Sequence, residues 1–156
     1  MELTHVDRAG AARMVDVSDK QPGARVAVAT GVFRTTSEVI ELLRRDGLPK
    51  GDALATARIA GIMGAKRTPD LVPLCHPIAL TGVTVDLEPG EAEVRITATV
   101  KTTDRTGVEM EALTAVAVAG LALHDMVKAV DPAAVLDAVR VERKDGGKTG
   151  TWTRPA

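Results

Sequence analysis

With 156 residues, 45% hydrophobic and 26% charged, the chain suits one globular domain that needs no disulfide or metal staple. A formal net charge of −1 supplies no overall field toward nucleic acid or a membrane surface, and with only Phe33 and Trp152 aromatic there is no stacking platform for single-stranded nucleic acid. The one cysteine, Cys75, excludes an intrachain disulfide and a structural zinc site built on thiolates. The N-terminus shows no basic segment leading into an apolar one, so a cytoplasmic protein is expected.

Residues 1–23 hold few apolar side chains in any pattern; Met14, Val15 and Val17 alternate weakly around Asp16, and Gln21-Pro22-Gly23 closes the stretch. This reads as an N-terminal arm, either packed on a neighbouring subunit or frayed, with a single domain over 24–156. Period-two alternation of Val26, Val28, Thr30 and Val32 predicts a strand over 24–33. Thr35-Thr36-Ser37-Glu38 has the form of a capping box led by Thr35, opening a short helix on Val39, Leu42 and Leu43 that Gly47 ends. After a turn at 49–52, residues 53–66 predict a second helix rich in Ala and Gly, whose small side chains allow close approach of another backbone. Residues 68–80 contain three prolines, which exclude helix and central strand, yet the segment is apolar. A buried loop is expected there, its main chain paired with a ligand or another chain.

Residues 82–87 and 94–100 alternate in period two around the turn 88–91, a β-hairpin. Residues 106–131 then predict a long buried helix, with a charge-free run over 112–123 between Glu109, Met110 and Glu111 at one end and His124, Asp125 and Lys128 at the other. Its apolar core is short of the roughly 20 residues a membrane span takes. Asp131-Pro132 ends it; a helical turn over 133–137, a strand over 139–143 and a return pairing of 149–153 complete the chain. The order is that of an α+β, ferredoxin-like βαββαβ sandwich, an antiparallel sheet with helices on one face. The open sheet face and the apolar helices together want more burial than one subunit offers, which predicts an oligomer.

Several residue clusters carry chemical potential. Gly147-Lys148-Thr149 is not a phosphate loop, because that pattern needs glycine where Glu142 stands. It is either a solvated turn or a Gly-rich turn offering amides, Lys144 and Lys148 to phosphate. Cys75 and His76 could serve as nucleophile, metal ligand or base, or as packing; further metal donors would have to come from distant His5 or His124. Glu109 and Glu111 stand about 200° apart on a helix, so they share one pocket only if Glu109 precedes the helix; otherwise they are dipole partners. Asp125 and Lys128, at i and i+3, form either a surface ion pair or an acid/base pair. Fourteen residues of helix between Glu111 and Asp125 span about 21 Å, so either there are two sites or one site is assembled from two subunits.

Taken together, Lys50-Gly-Asp through Ala57-Arg-Ile-Ala-Gly, Leu74-Cys-His-Pro, Thr106-Gly-Val-Glu-Met-Glu-Ala-Leu-Thr-Ala, Asp125-Met-x-Lys-Ala and Lys144-x-Gly-Gly-Lys-x-Gly resemble the signature blocks of cyclic pyranopterin monophosphate synthases, the molybdenum cofactor biosynthesis protein C (MoaC) family. Met14-Val-Asp-Val-Ser resembles its N-terminal block. The resemblance spans nearly the whole chain. It implies a catalytic domain forming a homohexamer, a trimer of dimers, with active sites at subunit interfaces. The implied reaction converts 3′,8-cyclo-7,8-dihydroguanosine 5′-triphosphate to cyclic pyranopterin monophosphate with release of diphosphate. The imidazole-derived ring opens, the pterin and pyran rings close, and a hydroxyl attacks the α-phosphorus. The resemblance implies Asp125 as catalytic residue with Lys128 beside it, and substrate contacts from Leu74, Cys75, His76, Met110 and Glu111. Lys50, His76, Glu111, Asp125 and Lys128 suit proton transfer, Glu111 also suits recognition of the guanine-derived ring, Glu109 is a further substrate contact, and Lys144 and Lys148, with Arg58, Lys66 and Arg67 in reserve, suit the triphosphate. No resident metal or cofactor is expected, with Mg²⁺ left open as a companion of the triphosphate. The alternatives are a non-catalytic nucleotide-sensing module and a purely structural oligomer.

Overall fold

Alternating Val, Ala and Thr residues build the central strand β1 (Gly23–Arg34), whose Ala27, Ala29 and Phe33 are wholly buried on one face. A computed structural model describes residues 3–45, 47–48, 52–148 and 150–156. Strand β1 pairs antiparallel with β3 (Glu93–Asp104) on one side and β4 (Val135–Asp145) on the other. Strand β2 (Leu80–Pro89) forms a hairpin with β3, and the short β5 (Trp152–Thr153) returns onto Arg143 and Lys144 of β4. The sheet order is β2-β3-β1-β4-β5, all antiparallel. With the helices packed on it, this is the expected α+β, ferredoxin-like arrangement.

The helices are α1 (Ser37–Arg44), α2 (Ala53–Lys66), the single turn α3 (Thr68–Leu71) and α4 (Glu109–Val127). Buried residues on α4 fall at Ala112, Ala115, Val116, Ala119, Leu123 and Val127, the three-and-four spacing that lays one stripe on the sheet. By length and composition alone α4 could cross a bilayer, but it packs against β1, β3, β4 and α2 as the core helix of the domain. Its neighbour α2 comes close because it presents glycine. A Cβ at Gly61 would stand 2.9 Å from the Ala115 carbonyl oxygen, and one at Gly64 would stand 2.8 Å from Val118 Cγ2. A Gly61→Val substitution therefore presses on main chain that cannot swing away. Overpacking of this kind costs about 1–3 kcal/mol, which outweighs the ~1 kcal/mol gained by removing a helical glycine. A lowered urea midpoint with unchanged slope is the expected result.

Four local expectations are corrected. Thr36, not Thr35, caps α1, accepting from the Val39 amide, while the Thr35 hydroxyl is drawn away to donate to Asp131 at 2.7 Å. Pro69 does not prevent the one-turn helix α3, because it sits in the first turn where its missing N–H has no partner to lose. The segment from Leu71, the last residue of α3, onward is only partly buried, with Leu71 61% exposed and Leu74, Cys75 and His76 half-buried. Residues 135–137 are strand rather than helical turn. Arg34 pairs with Val135 and Phe33 with Leu136, so the open edge of β1 recruits them, and Ala138 absorbs the irregular register with φ 53°.

Candidate active site

Helix α4 opens without a side-chain cap at Val108, and two cavities gather around that end. The first, about 250 Å³, brings Leu74, Cys75 and His76 of the proline-rich segment against Glu109, Met110 and Glu111 of α4. Thr4, His5, Val15, Val17 and Lys20 of the N-terminal arm close its other side. Glu111 is 1% exposed; its Oε2 accepts from the Cys75 thiol at 3.6 Å, and its Oε1 has no hydrogen-bond partner among the described residues. Burial raises its carboxyl above the ordinary carboxylate range, more than the Cys75 thiol and its own backbone amide lower it. Burial, followed by the charge of Glu111, pushes the Cys75 thiol up to about 11. The thiol is thus protonated at neutral pH and donates to Glu111, which does not make it an activated nucleophile. His76 Nε2 meets the main-chain carbonyl of Val15.

The 200° between Glu109 and Glu111 does not keep them apart. Glu109 is the first residue of α4, not a lead-in, and its carboxylate folds back over Gly107. The cavity wraps around the helix terminus, so side chains on opposite faces of the first turn line the same space. Glu109 also pairs with Lys144 at 3.6 Å.

The second cavity, about 650 Å³, adjoins the first through Lys20, Gly107 and Glu109, which line both. Lys144 and Lys148 reach it from the Gly-rich turn, and Lys20 and Arg25 face them. Gly146 and Gly147 have φ of +99° and +77°, conformations L side chains rarely adopt, and a Cβ at Gly147 would stand 2.5 Å from Arg25 Nη1. This turn therefore forms one wall of the cavity, with Gly147 and Lys148 exposed to solvent. Asp19 and Asp145 stand in the same cavity, and Asp145 is tied to Arg143 at 2.9 Å.

Asp125 and Lys128 are not brought to either cavity. They form an ion pair of 2.9 Å at the other end of α4, each side chain about half exposed. The continuous helix between Glu111 and Asp125 keeps them about 21 Å apart. Lys50 lies outside the described residues. Arg58 donates to the Val85 carbonyl at 3.2 Å, and neither it nor Lys66 nor Arg67 lines the two cavities. His124 meets Phe33 edge-on with ring centroids 6.4 Å apart, whereas His5 does join the smaller cavity. No three His, Cys, Asp or Glu among the described residues are grouped to hold a metal.

Comparison with known proteins bears on this arrangement. A family model described as MoaC family matches residues 14–147. A Streptomyces coelicolor protein named cyclic pyranopterin monophosphate synthase is 68% identical over 152 residues, covering 97% of this chain and 89% of the relative. A Nocardioides protein of the same name is 64% identical over 156 residues, covering 98% and 96%. The Mycobacterium tuberculosis cyclic pyranopterin monophosphate synthase 2 is 63% identical over 153 residues, covering 98% and 92%. The chain belongs to the MoaC family. The family match runs from Met14 to Gly147 and takes in most of the lining of both cavities, leaving out Thr4, His5 and Lys148.

Nothing in the sequence marks Lys20 or Arg25 as cavity residues; His5 stands out there only as a distant metal donor and Val15 only as part of the arm. Lys20 stands before a Pro-Gly turn and Arg25 early in a strand, positions where a cation is unremarkable. The pairing of Val26 with Asp145 is what carries Arg25 to the glycine turn.

Proposed function

We propose that this chain is a cyclic pyranopterin monophosphate synthase, a cytoplasmic lyase of molybdenum cofactor biosynthesis that converts 3′,8-cyclo-7,8-dihydroguanosine 5′-triphosphate to cyclic pyranopterin monophosphate and diphosphate. The observation that carries the reading is the joined pair of cavities: one acidic and part-apolar, one cationic, in a chain at least 63% identical to three synthases over nearly its whole length. The guanine-derived ring enters the smaller cavity, where its N–H donors meet the unpartnered Oε1 of Glu111 beside Leu74, Cys75 and Met110. The triphosphate lies along Lys20, Arg25, Lys144 and Lys148, which gather positive charge that a net −1 chain must cluster locally. Were Mg²⁺ to accompany the polyphosphate, Asp19 would offer it a carboxylate oxygen, whereas both oxygens of Asp145 are engaged by Arg143.

The remaining chemistry is proton transfer, assigned to Lys50, His76, Lys128 and Asp125. Lys128 and Asp125 act in the cavity pair of a neighbouring subunit, held ready as a 2.9 Å ion pair. This requires an oligomer, and the proposed assembly is a homohexamer, a trimer of dimers. The exposed apolar residues Ile59 and Met63 on α2 and Leu121 on α4 are the surfaces such an assembly would bury.

Incubation with the cyclised nucleotide tests the reading. Diphosphate release with formation of the pyranopterin product supports it; tight binding without release points to a nucleotide-sensing module instead. Arg25→Ala and Lys148→Ala are expected to raise KM about ten- to a hundredfold, the loss of one charge-assisted phosphate contact of about 1.5–3 kcal/mol, with a smaller effect on kcat. Steady-state kinetics at two salt concentrations checks this, since the defect should be larger at low salt.

A further inference from the structure

We infer that the N-terminal arm is a working part of the catalytic centre: the main-chain carbonyl of Val15 fixes the tautomer of His76, so that Nδ1 is the ring nitrogen that accepts a proton from the substrate. The identity of that substrate rests on the lyase reading; the tautomer does not.

The argument begins with the contact of His76 Nε2 with the Val15 oxygen at 2.5 Å. A carbonyl can only accept, so Nε2 must carry the hydrogen. A neutral imidazole with its proton on Nε2 has its lone pair on Nδ1, and no described residue hydrogen-bonds that nitrogen. Of the two ring nitrogens, Nδ1 alone is therefore competent as a base.

The arm is built to hold the carbonyl in place. Its first part closes on itself through the Val6–Ala12 bridge, with the Arg13 amide donating to the His5 carbonyl at 2.8 Å and Arg13 Nε to the Thr4 carbonyl at 3.1 Å. Its far end is tied to the domain by Arg105 Nε, which donates to the Lys20 carbonyl at 3.0 Å. Between these anchors, Val15 and Val17 line the same cavity as His76. Asp16 Oδ1 accepts from the Ser18 amide at 2.9 Å; its hydrogen bonds with Ser18, and to the smallest extent the charge of His76, hold its carboxyl below the ordinary range.

The step balances without a co-reactant. A proton leaves the substrate, its bonding electrons stay there, and Nδ1 receives it. The ring becomes an imidazolium whose charge is met by the Val15 carbonyl on one edge and by the Asp16 carboxylate nearby. The proton is returned from Nδ1 later in the reaction.

Nitrogen-15 NMR of the full chain, labelled at its three histidines, reads the tautomer directly, with His76 assigned by the signals lost in His76→Gln. A proton on Nε2 and a pyridine-like Nδ1 in the neutral ring are expected. Loosening the arm with Val15→Gly/Asp16→Gly should mix the tautomers and lower kcat about tenfold or more, while KM stays within about twofold. Val15→Gly alone gives a smaller change in the same direction and serves where the double variant does not fold. A wild-type His76 protonated on Nδ1, or a loosened arm with full kcat, overturns the inference. A wild-type enzyme that releases no diphosphate overturns the lyase reading instead, and the spectrum still decides the tautomer.

Discussion

Subunits carrying Asp125→Ala, co-assembled with subunits carrying Glu111→Ala, are expected to recover activity that neither variant has alone. Each single variant loses a group placed at the reacting centre, a loss of about 10²–10⁴ in rate for an acid or base. In the mixture, a site that takes Glu111 from one subunit and Asp125 from another is intact whenever each comes from the right variant. Random mixing at equal proportions then leaves about a quarter of the sites whole in any closed symmetric assembly. The expectation follows from α4, a single unbroken helix that sets Glu111 and Asp125 about 21 Å apart, with only Glu111 of the two lining the cavity pair. Unfolding the two variants together, refolding them and assaying diphosphate release checks it. Co-assembled mixtures that stay inactive would show that Asp125 and Glu111 act in separate sites or that only one of them acts.

The second large effect is a trade between stability and activity at Glu111. Glu111→Gln is expected to raise the melting temperature near neutral pH and to cut kcat/KM. Burial lifts the folded carboxyl above the ordinary 4.5, so the folded chain holds this proton more tightly than the unfolded chain does. Stability from this group is thus fully present below about 4.5 and is lost as pH rises through the higher folded value. Glutamine does not titrate, so the variant's advantage should be small in acid and grow to a plateau above the folded value. An unpartnered buried polar group costs about 1–3 kcal/mol, which corresponds to several degrees for a domain of this size. Melting curves from pH 4 to pH 8 on both proteins read the difference. A wild-type protein that instead gains on the variant as pH rises would mean that a neighbouring subunit supplies Oε1 with a donor.

These two effects explain why a costly residue sits at the cavity floor. An orphaned buried carboxyl oxygen costs the chain stability, and under the proposed function a ring with N–H donors would relieve that cost on binding. Binding energy would then be concentrated where the ring must be oriented, with the cations on the far side of Glu109 assigned by the same proposal to the polyphosphate.

Much of this architecture was already determined by local pattern. The small-residue helix over Ala53–Lys66 has the bounds its composition predicts, and the hairpin of β2 and β3 and the strand β1 follow from period-two alternation. The separation of Glu111 from Asp125 needs only a helical rise and an uninterrupted apolar run. Such features depend on neighbours within a few residues, and the sequence contains those neighbours. What the tertiary structure alone decided depends on segments far apart in the chain. The open edge of β1 turned Val135, Leu136 and Asp137 from helical turn to strand, and Asp131 took the Thr35 hydroxyl that the cap would have used. The smaller cavity joins residues 4–20, 74–76 and 106–111, and Arg25 reaches Gly147 only through the register of β1 on β4. The arm, patternless by itself, acquires a role because Val15 meets His76 across 61 residues of sequence. Periodicity carries no information about which distant segments will meet; packing and strand register supply it.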